Sequence, residues 1–204
     1  MIIRKENKKD WKEVENLVRE SFWNKYRPGC YEHFVLHNAR DCNEFIDDLN
    51  YVIQDNEGNV IGQIMYCKAS IVKKDNTKKD VIVFGPVSVL PEMQKKGYGE
   101  MLINYTLQIA KNLGYHGVII TGNPDYYHKF GFESCSNFGI WYEGLNPNDD
   151  APYFMGLNLT EGYLEESSGV FIEPKCYSVN FEKLDEYDKE FPQKKKEKLP
   201  GQFE

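Results

Sequence analysis

The spacing of apolar residues predicts that the chain begins with a strand and an amphipathic helix. The run Ile2–Arg4 is β-prone, and from Trp11 to Phe22 apolar residues recur every three or four positions, as on one face of a helix. Asn7 is the predicted N-cap of this helix, with Asp10 three residues after it.

A second helical region is predicted at about residues 31–49, either continuous or interrupted near Asp41, and β structure follows it. Three β-prone runs are separated by polar turn segments: 51–54, 60–72 and Val81–Val89. The last run contains Gly85 and Pro86, a pair that indicates a bulge or bend inside a strand. We therefore expect hairpins that lead into a bent strand.

A β-α-β unit is predicted around the bent strand. An amphipathic helix spans Gly99–Leu113, and the apolar run Gly117–Thr121 follows it. Strands joined by such a crossover are usually parallel, whereas strands joined by short hairpins are antiparallel. The sequence thus predicts an α+β fold with a mixed, twisted sheet flanked by helices.

The remainder of the chain is predicted to extend the same domain. Short strand-like runs occur at 138–142, 153–159 and 169–172. From Glu182 the chain is dense in charges of both signs, which is typical of a solvated terminus. We expect a core at residues 1–140 and an extension at residues 141–204, of which the last ~15 residues are frayed.

Composition and charge exclude several classes of protein. Hydrophobic residues make up 41% of the 204 positions, which is enough for a packed core. The net charge of −7 disfavours non-specific binding of nucleic acid, which requires many cationic side chains. Since the sequence has neither an apolar run of membrane-spanning length nor an N-terminal signal core, we expect a cytoplasmic protein without a membrane partner. The five scattered cysteines predict reduced thiols and no metal site.

Glycines at the predicted start of a helix suggest a site for a phosphate group. The segment Gln94-Lys95-Lys96-Gly97-Tyr98-Gly99 lies between a β-prone run and an amphipathic helix. Uncovered backbone N–H groups and the helix dipole favour an anion there, in particular a pyrophosphate. A Walker A loop and a dinucleotide-binding turn are excluded, because neither glycine pattern is complete. This segment alone leaves open an ordinary loop with helix-start glycines.

A second motif, Tyr127-His128-Lys129-Phe130-Gly131-Phe132, begins 28 residues after Gly99. The two motifs, in this order and spacing, resemble the GNAT superfamily of acetyl-CoA-dependent N-acetyltransferases. The resemblance covers about residues 1–140. The stretch 27–49 and the tail after Tyr142 are similar to an uncharacterised bacterial branch of that superfamily. The resemblance implies the GNAT fold and an acyltransferase activity.

The resemblance also implies a role for each matching position. Tyr127 matches the tyrosine that protonates the departing thiolate of coenzyme A, and Tyr126 is the alternative register. Asn123 lies where a polar residue often meets the cofactor. Main-chain contacts with the cofactor are implied at the strand end Val87, Ser88 and Val89 and in the pyrophosphate loop Gln94, Lys95, Lys96, Gly97, Tyr98 and Gly99.

The general base is left unassigned. Many members of the superfamily carry an acidic residue on the strand before the loop, but Val81–Val89 contains none, and the nearest are Asp80 and Glu92. In the superfamily the region before the second strand borders the acceptor pocket, which implies Glu32 and His33 as candidates for amine binding or for the base. A structural or surface role is the alternative for both residues.

The resemblance implies an enzyme that transfers an acetyl group from acetyl-CoA to a primary amine, by direct attack in a ternary complex. A phenol of pKa about 10 suits the protonation of a thiolate of pKa about 8.5. Acetyl-CoA is the expected co-substrate and no metal is expected, while the acceptor and a homodimeric state are left open. Two alternatives are an acyl-CoA-binding sensor without turnover and an N-acyltransferase that uses a longer acyl-CoA.

Overall fold

The computed structural model describes residues 1–147, 149 and 151–202, and these residues form two compact units. Unit one contains residues 1–65, 86–103 and the chain from Lys175 onward, and unit two contains residues 66–85 and 104–174. Positions 148, 150, 203 and 204 of the predicted extension lie outside the described residues. The predicted boundary at residue 140 stays a prediction. No helix in the described ranges is both long enough and apolar enough to cross a membrane.

The described residues form nine strands and five α-helices. The strands are β1 Ile2–Lys5, β2 Tyr51–Gln54, β3 Val60–Lys73, β4 Lys78–Val89, β5 Gly117–Thr121, β6 Glu133–Ser134, β7 Ile140–Tyr142, β8 Phe154–Asn158 and β9 Gly169–Ile172. The helices are α1 Trp11–Phe22, α2 Glu32–Ala39, α3 Tyr98–Asn112, α4 Pro124–Tyr127 and α5 Phe181–Asp188. Strands β3 and β4 contribute residues to both units.

In unit one, β1, β2 and β3 pair in antiparallel fashion. Ile3 lies opposite Ile53, and Ile53 lies opposite Gly62. Helix α1 buries the apolar face that its periodicity predicts, which consists of Val14, Leu17 and Val18. Burial of this face stabilises the helix, because an isolated helix of this length is marginal in water.

Unit two combines parallel and antiparallel pairs. Strands β4 and β5 are parallel, with Ile82 opposite Val118, as the β-α-β pattern predicts. Strand β8 pairs antiparallel with β5 and with β6, whereas β9 pairs antiparallel with β3 and parallel with β7. The prediction of a mixed sheet flanked by helices is therefore confirmed.

The second helical region is interrupted close to Asp41, the point at which the sequence allows an interruption. Helix α2 ends at Ala39, and only a 3₁₀ turn at Asp47–Leu49 continues the predicted region 31–49. The Arg40 guanidinium, just past the helix end, is buried and bonds the carboxylates of Glu6 and Glu15, each at 2.5 Å. These ion pairs fix the point at which the chain leaves the helix.

The predicted N-cap of the first helix is wrong by three residues. The residue at the N-cap is Asp10, and the Asn7 side chain instead accepts a hydrogen bond from the Lys9 N–H at 3.0 Å. The Asp10 carboxylate is held by the Arg4 guanidinium at 2.6 and 2.9 Å and by the Asn7 N–H at 2.9 Å. Asn7 therefore shapes the turn before the helix and does not cap it.

The expectation of a solvated tail from Glu182 is wrong for helix α5. Leu184 and Tyr187 of this helix and Phe191 after it are buried and pack with Phe34 of α2. Their spacing of three and four residues places them on one side, while the charged residues Glu182, Lys183, Asp185 and Glu186 are exposed. Later in the tail, the Lys195 carbonyl accepts hydrogen bonds from the Trp23 and Asn24 side chains, both at 3.0 Å.

A buried ionic cluster attaches α5 within unit one. The Arg19 side chain is 2% exposed, and its Nε donates to Asp188 Oδ1 at 3.1 Å. The same carboxylate oxygen lies 3.1 Å from Nε2 of the fully buried His33. Burial would raise the pKa of Asp188, but His33 and the Arg19 charge outweigh it, and the pKa of Asp188 is lowered.

We expect Asp188→Ala to lower the free energy of unfolding by about 3 kcal/mol, because the variant leaves the buried Arg19 charge without its partner. Urea unfolding followed by circular dichroism measures this change. Asp185→Ala is the matched control, since Asp185 lies in the same helix and its ion pair with Lys196 is solvent-exposed. The control should cost under about 1 kcal/mol. Equal losses in the two variants would contradict the assigned role of Asp188.

We expect the free energy of unfolding to fall as the pH is lowered from 7.5 to 5. Burial lowers the pKa of His33, although Asp188 acts against this shift. The unfolded chain therefore binds a proton at a pH where the folded chain does not, and the stabilisation present above the unfolded pKa of about 6.5 is lost below it. Urea titrations at several pH values should show a shallower dependence for His33→Gln than for the parent. An unchanged dependence would contradict this assignment, and exposed His116→Gln is the control.

Candidate active site

The predicted pyrophosphate loop has a backbone conformation that suits an anion. Lys95 and Gly97 have φ angles of 61° and 87°, in the left-handed region, and α3 begins immediately afterwards at Tyr98. Left-handed residues at alternate positions turn neighbouring N–H groups towards one side and create a nest for an anion. A Cβ at position 97 would meet no atom within 4 Å. Glycine is thus required there by the φ angle and not by lack of space.

The first turn of α3 adds positive potential beside this loop. Tyr98 and Gly99 are the first two residues of the 15-residue helix, whose early N–H groups have no partner within the helix. The Lys95 and Lys96 side chains are exposed, and Lys96 Nζ lies 3.5 Å from the sulfur of Met93. In unit one, the structure therefore brings together the six predicted loop residues as one cationic turn.

The predicted cofactor strand ends beside this loop. The Val89 carbonyl accepts hydrogen bonds from Ser21 Oγ at 2.9 Å and from Gln94 Nε2 at 3.0 Å. Ser21 lies near the end of α1, and its hydroxyl also bonds the Leu17 carbonyl at 2.8 Å. The Gln94 side chain thus fastens the loop to the strand, while its backbone belongs to the loop. Ser21 is not among the residues predicted from the sequence, because nothing in a helical pattern shows which strand a serine will reach.

A glutamine from the neighbouring strand holds the bend that Gly85 and Pro86 predict. Gln63 Nε2 donates to the Pro86 carbonyl at 2.9 Å and to Ser88 Oγ at 3.2 Å. Gln63 is fully buried and Ser88 is 3% exposed. Gln63 is also not among the residues predicted from the sequence, although a polar residue inside the apolar run of β3 indicates a buried polar contact.

In unit two, the pairing of β4 with β5 is short. Among the described residues, its register pairs are Ile82 with Val118 and Val83 with Ile119. Gly85 follows with a φ of 149°, a value that side chains rarely permit. This geometry agrees with the bulge predicted from the sequence.

Tyr127 and Asn123 both lie in the segment that follows β5. Asn123 is the N-cap of α4, where its side-chain oxygen accepts a hydrogen bond from the Asp125 N–H at 3.0 Å. Tyr127 ends this helix, and its ring is half-buried. The centre of this ring lies 6.0 Å from the centre of the Phe84 ring and 5.9 Å from that of the Phe132 ring. The motif phenylalanine Phe132 is therefore a core residue that fixes the position of the Tyr127 ring.

Tyr126, the alternative register, has a different environment. Its side chain is 36% exposed, and Lys129 Nζ lies 4.6 Å from the centre of its ring. A third tyrosine, Tyr66, contacts the Phe84 ring and is fully buried. Its hydroxyl forms a hydrogen bond with Thr106 Oγ1 at 2.8 Å. Burial raises the pKa of Tyr66, which keeps its phenol protonated at neutral pH. Tyr127 and Tyr126 thus differ in exposure and packing, and the catalytic role of Tyr127 stays a prediction.

The two candidate acceptor residues differ in their surroundings. His33 is fully buried between Asp188 and the Cys30 thiol, whose sulfur lies 3.4 Å from His33 Nδ1, so we assign it to packing. Glu32 is partly exposed, and its Oε2 accepts a hydrogen bond from the Tyr31 N–H at 2.9 Å. Burial raises the pKa of Glu32, a shift that the N–H groups and Arg27 partly offset. Its contact with an acceptor amine stays a prediction.

The structure extends the strand before the loop back to Lys78, so that β4 includes one carboxylate, that of Asp80. The Asp80 side chain is exposed, as is that of Glu92. The His37 ring contacts the Glu15 carboxylate at 3.0 Å. Within the described ranges, no group of three or more His, Cys, Asp or Glu side chains is arranged to hold a metal ion.

The mixed sheet and the loop at the start of α3 place the protein among the acyltransferases. A profile of the acetyltransferase (GNAT) domain matches residues 2–135 of the chain. Because this match covers more than half of its length, the protein belongs to the GNAT acetyltransferase family. This membership confirms the resemblance seen in the two motifs.

Two curated relatives come from Escherichia coli K12. The chain is 28% identical over 140 residues to the uncharacterized N-acetyltransferase YhbS, and the matched region covers 69% of this chain and 78% of YhbS. It is 30% identical over 80 residues to the uncharacterized N-acetyltransferase YjhQ, and the matched region covers 39% of this chain and 44% of YjhQ. The match thus spans less than half the length of YjhQ.

Two solved structures share the fold. Escherichia coli YhbS in complex with CoA gives a TM-score of 0.74 at 22% identity, over 86% of this chain and 91% of YhbS. A GNAT family acetyltransferase from Brucella melitensis in complex with acetyl-CoA gives a TM-score of 0.69 at 23% identity, over 87% of this chain and 97% of that protein. These likenesses confirm the predicted fold class.

Proposed function

We propose that this protein transfers the acetyl group of acetyl-CoA to a primary amine. The observation that carries the proposal is the nest at Lys95 and Gly97, which is joined to the strand end through the Gln94 side chain. Membership of the GNAT family supports it, as do the two structural neighbours in complex with CoA and with acetyl-CoA. The N–H groups of residues 94–99 would bind the pyrophosphate.

The strand end supplies main-chain partners for the pantetheine arm. The Leu90 N–H donates to the Ile61 carbonyl on β3 at 3.0 Å. Because peptide groups alternate in direction along a strand, those of Val87 and Val89 face away from β3. The Val89 carbonyl is engaged by Ser21 and Gln94, so we assign the Val89 N–H and the Val87 peptide groups to the cofactor. An N–H group there would also stabilise the oxyanion that forms on the thioester carbonyl.

The reaction we propose is direct attack by the amine in a ternary complex. The amine adds to the thioester carbonyl, and the tetrahedral intermediate expels the thiolate of coenzyme A as the C–S bond breaks. Tyr127 donates the phenolic proton to that sulfur as the C–S bond breaks, and the resulting phenolate recovers a proton from the attacking nitrogen, which must lose it to become a neutral amide. Binding both substrates before reaction makes the attack effectively unimolecular.

A CoA-binding sensor without turnover is the second candidate function. The observation that favours it is the absence of a carboxylate from the run Val81–Val89. A thiol-release assay with acetyl-CoA and a panel of a polyamine, an aminoglycoside and a lysine peptide separates the two functions. Thiol release matched by acetylated amine in mass spectra supports the enzyme. Acetyl-CoA binding without release of thiol from any amine supports the sensor.

We expect Gly97→Ala to weaken acetyl-CoA binding at least ~10-fold, or ~1.4 kcal/mol. Alanine disfavours the φ of 87° at this position, so the loop would relax away from the nest conformation. Isothermal titration calorimetry measures the affinity.

Gly144→Ala is the matched control for this loop variant. Gly144 has a φ of 84° with open space at its Cβ position, and it lies outside both motifs. The control should bind acetyl-CoA like the parent. Unchanged affinity in folded Gly97→Ala would reject the loop assignment.

We expect Tyr127→Phe to lower kcat by ~10²- to 10⁴-fold, the usual cost of losing a general acid. The acetyl-CoA Kd should change little, because the proton is needed only as the intermediate collapses. Stopped-flow or steady-state thiol release measures kcat, and calorimetry measures Kd.

Tyr126→Phe is the control for the register of this motif, and it should retain most of the parent kcat. If Tyr126→Phe loses activity while Tyr127→Phe keeps more than about half of the parent kcat, the register is wrong by one residue. If neither variant loses activity, the general-acid role fails.

A further inference from the structure

Two buried polar side chains lie directly beneath the proposed cofactor strand. Gln63 projects from β3 and is fully buried, while Ser88 projects from β4 and is 3% exposed. Gln63 Nε2 donates to both the Pro86 carbonyl and Ser88 Oγ. Ser88 stands between Val87 and Val89, the two residues whose peptide groups we assign to the cofactor.

The orientation of the Gln63 amide is fixed by the Pro86 carbonyl. A carbonyl oxygen only accepts hydrogen bonds, so the amide nitrogen, and not its oxygen, must face Pro86. The amide oxygen Oε1 then points elsewhere, and no donor among the described residues reaches it. A buried acceptor without a donor is strongly disfavoured, and such an atom indicates a partner that is not part of the chain.

We infer that Gln63 and Ser88 form a buried subsite for one water molecule, beside the strand that holds the thioester. This water would donate one hydrogen to Gln63 Oε1 and accept the hydroxyl hydrogen of Ser88, whose oxygen already accepts from Gln63 Nε2. A buried water typically makes about three hydrogen bonds to polar groups that otherwise lack partners. One hydrogen and one lone pair of the water remain free for the acceptor side.

This inference rests on the proposed acetyl transfer, and it assigns the first of the two protons that the acceptor nitrogen must lose, the one lost before attack. The acceptor enters as an ammonium group, and its nitrogen attacks only after one N–H bond has broken. The subsite water accepts that proton on its free lone pair while it passes its free hydrogen towards solvent, so its composition is unchanged. Gln63 and Ser88 are positioning residues in this step, because they hold the water and do not themselves take up the proton.

A crystal structure of the full chain with CoA tests the subsite without any need for turnover. We expect a water peak within hydrogen-bonding distance of both Gln63 Oε1 and Ser88 Oγ. A protein donor on Oε1, or protein atoms in the space between the two side chains, would overturn the inference. Absence of turnover with every amine of the panel would instead contradict the proposed acetyl transfer, and the water peak would still be read independently.

Ser88→Ala tests the role of the water in the reaction. We expect kcat with an accepted amine to fall at least ~10-fold while the acetyl-CoA Kd stays within about twofold, which places the loss in the chemical step. Ser88→Thr restores the hydroxyl group and should recover most of the lost kcat, a rescue that a purely structural role of the serine does not predict.

Ser167→Ala is the matched control, because Ser167 is a fully buried serine whose hydroxyl donates to the Tyr163 carbonyl, outside the proposed site. It should keep the parent kcat. An unchanged kcat in Ser88→Ala, or equal losses in Ser88→Ala and Ser167→Ala, would overturn the assigned role. If Ser88→Ala does not fold, the crystal structure of the parent decides the inference.

Discussion

A strand that bends away from its neighbour leaves backbone polar groups that must find other partners, and the end of β4 is built around this constraint. Its register pairs with β5 lie at Ile82 and Val83, before the bend. Beyond the bend, three side chains of unit one act as donors: Gln63 to the Pro86 carbonyl, and Ser21 and Gln94 to the Val89 carbonyl. The segment therefore stays extended, and in the proposed function the peptide groups of Val87 and the Val89 N–H bind the cofactor.

The same donors explain why a helix and a loop occupy their positions in unit one. Ser21 belongs to α1, so its hydrogen bond to Val89 ties the end of that helix to the strand. Gln94 opens the loop of Lys95 and Gly97, so its hydrogen bond fixes the distance between the strand end and the nest. In the proposed function the strand end binds the pantetheine arm and the nest binds the pyrophosphate, and the hydrogen bond of Gln94 to the Val89 carbonyl sets the spacing between them.

Local pattern was sufficient to predict most of the elements but not the contacts between them. The alternation and periodicity of apolar residues gave β5 at Gly117–Thr121 and β9 at Gly169–Ile172 with the observed bounds. The conformation of the loop glycines could also be predicted locally, since the preference for a positive φ is a property of the single residue. Ser21 and Gln63 form hydrogen bonds to residues distant in the sequence. The residue type of a serine or glutamine does not predict which residue it will contact.

The C-terminal segment shows why charge density is a poor guide to solvation. Its apolar residues Leu184, Tyr187 and Phe191 carry a helical spacing that the surrounding charges obscure. One of those charges, Asp188, is only 11% exposed and pairs with the buried Arg19, which comes from a distant part of the sequence. A count of charges cannot separate an ion that is paired in the interior from one that is hydrated, and the expectation of a solvated tail failed for that reason.

Gln63 and Ser88 are neutral side chains, so their hydrogen bonding does not depend on pH as that of a carboxylate does. Burial raises the pKa of Glu32 even though N–H groups and nearby cations oppose the shift. A carboxyl group at Ser88, which is 3% exposed, would also pay a desolvation cost, and this cost would raise its pKa. An amide and a hydroxyl keep the same hydrogen-bonding pattern at every physiological pH.

In an enzyme that holds its water with such a neutral pair, the basicity of the acceptor itself determines how much reactive amine is present. An α-amino group of pKa about 8 is neutral far more often at pH 7 than a lysine side chain of pKa about 10.4. The chemistry of the proposed subsite therefore favours weakly basic amines over strongly basic ones as acceptors, whatever the overall negative charge of the chain suggests about cationic ligands.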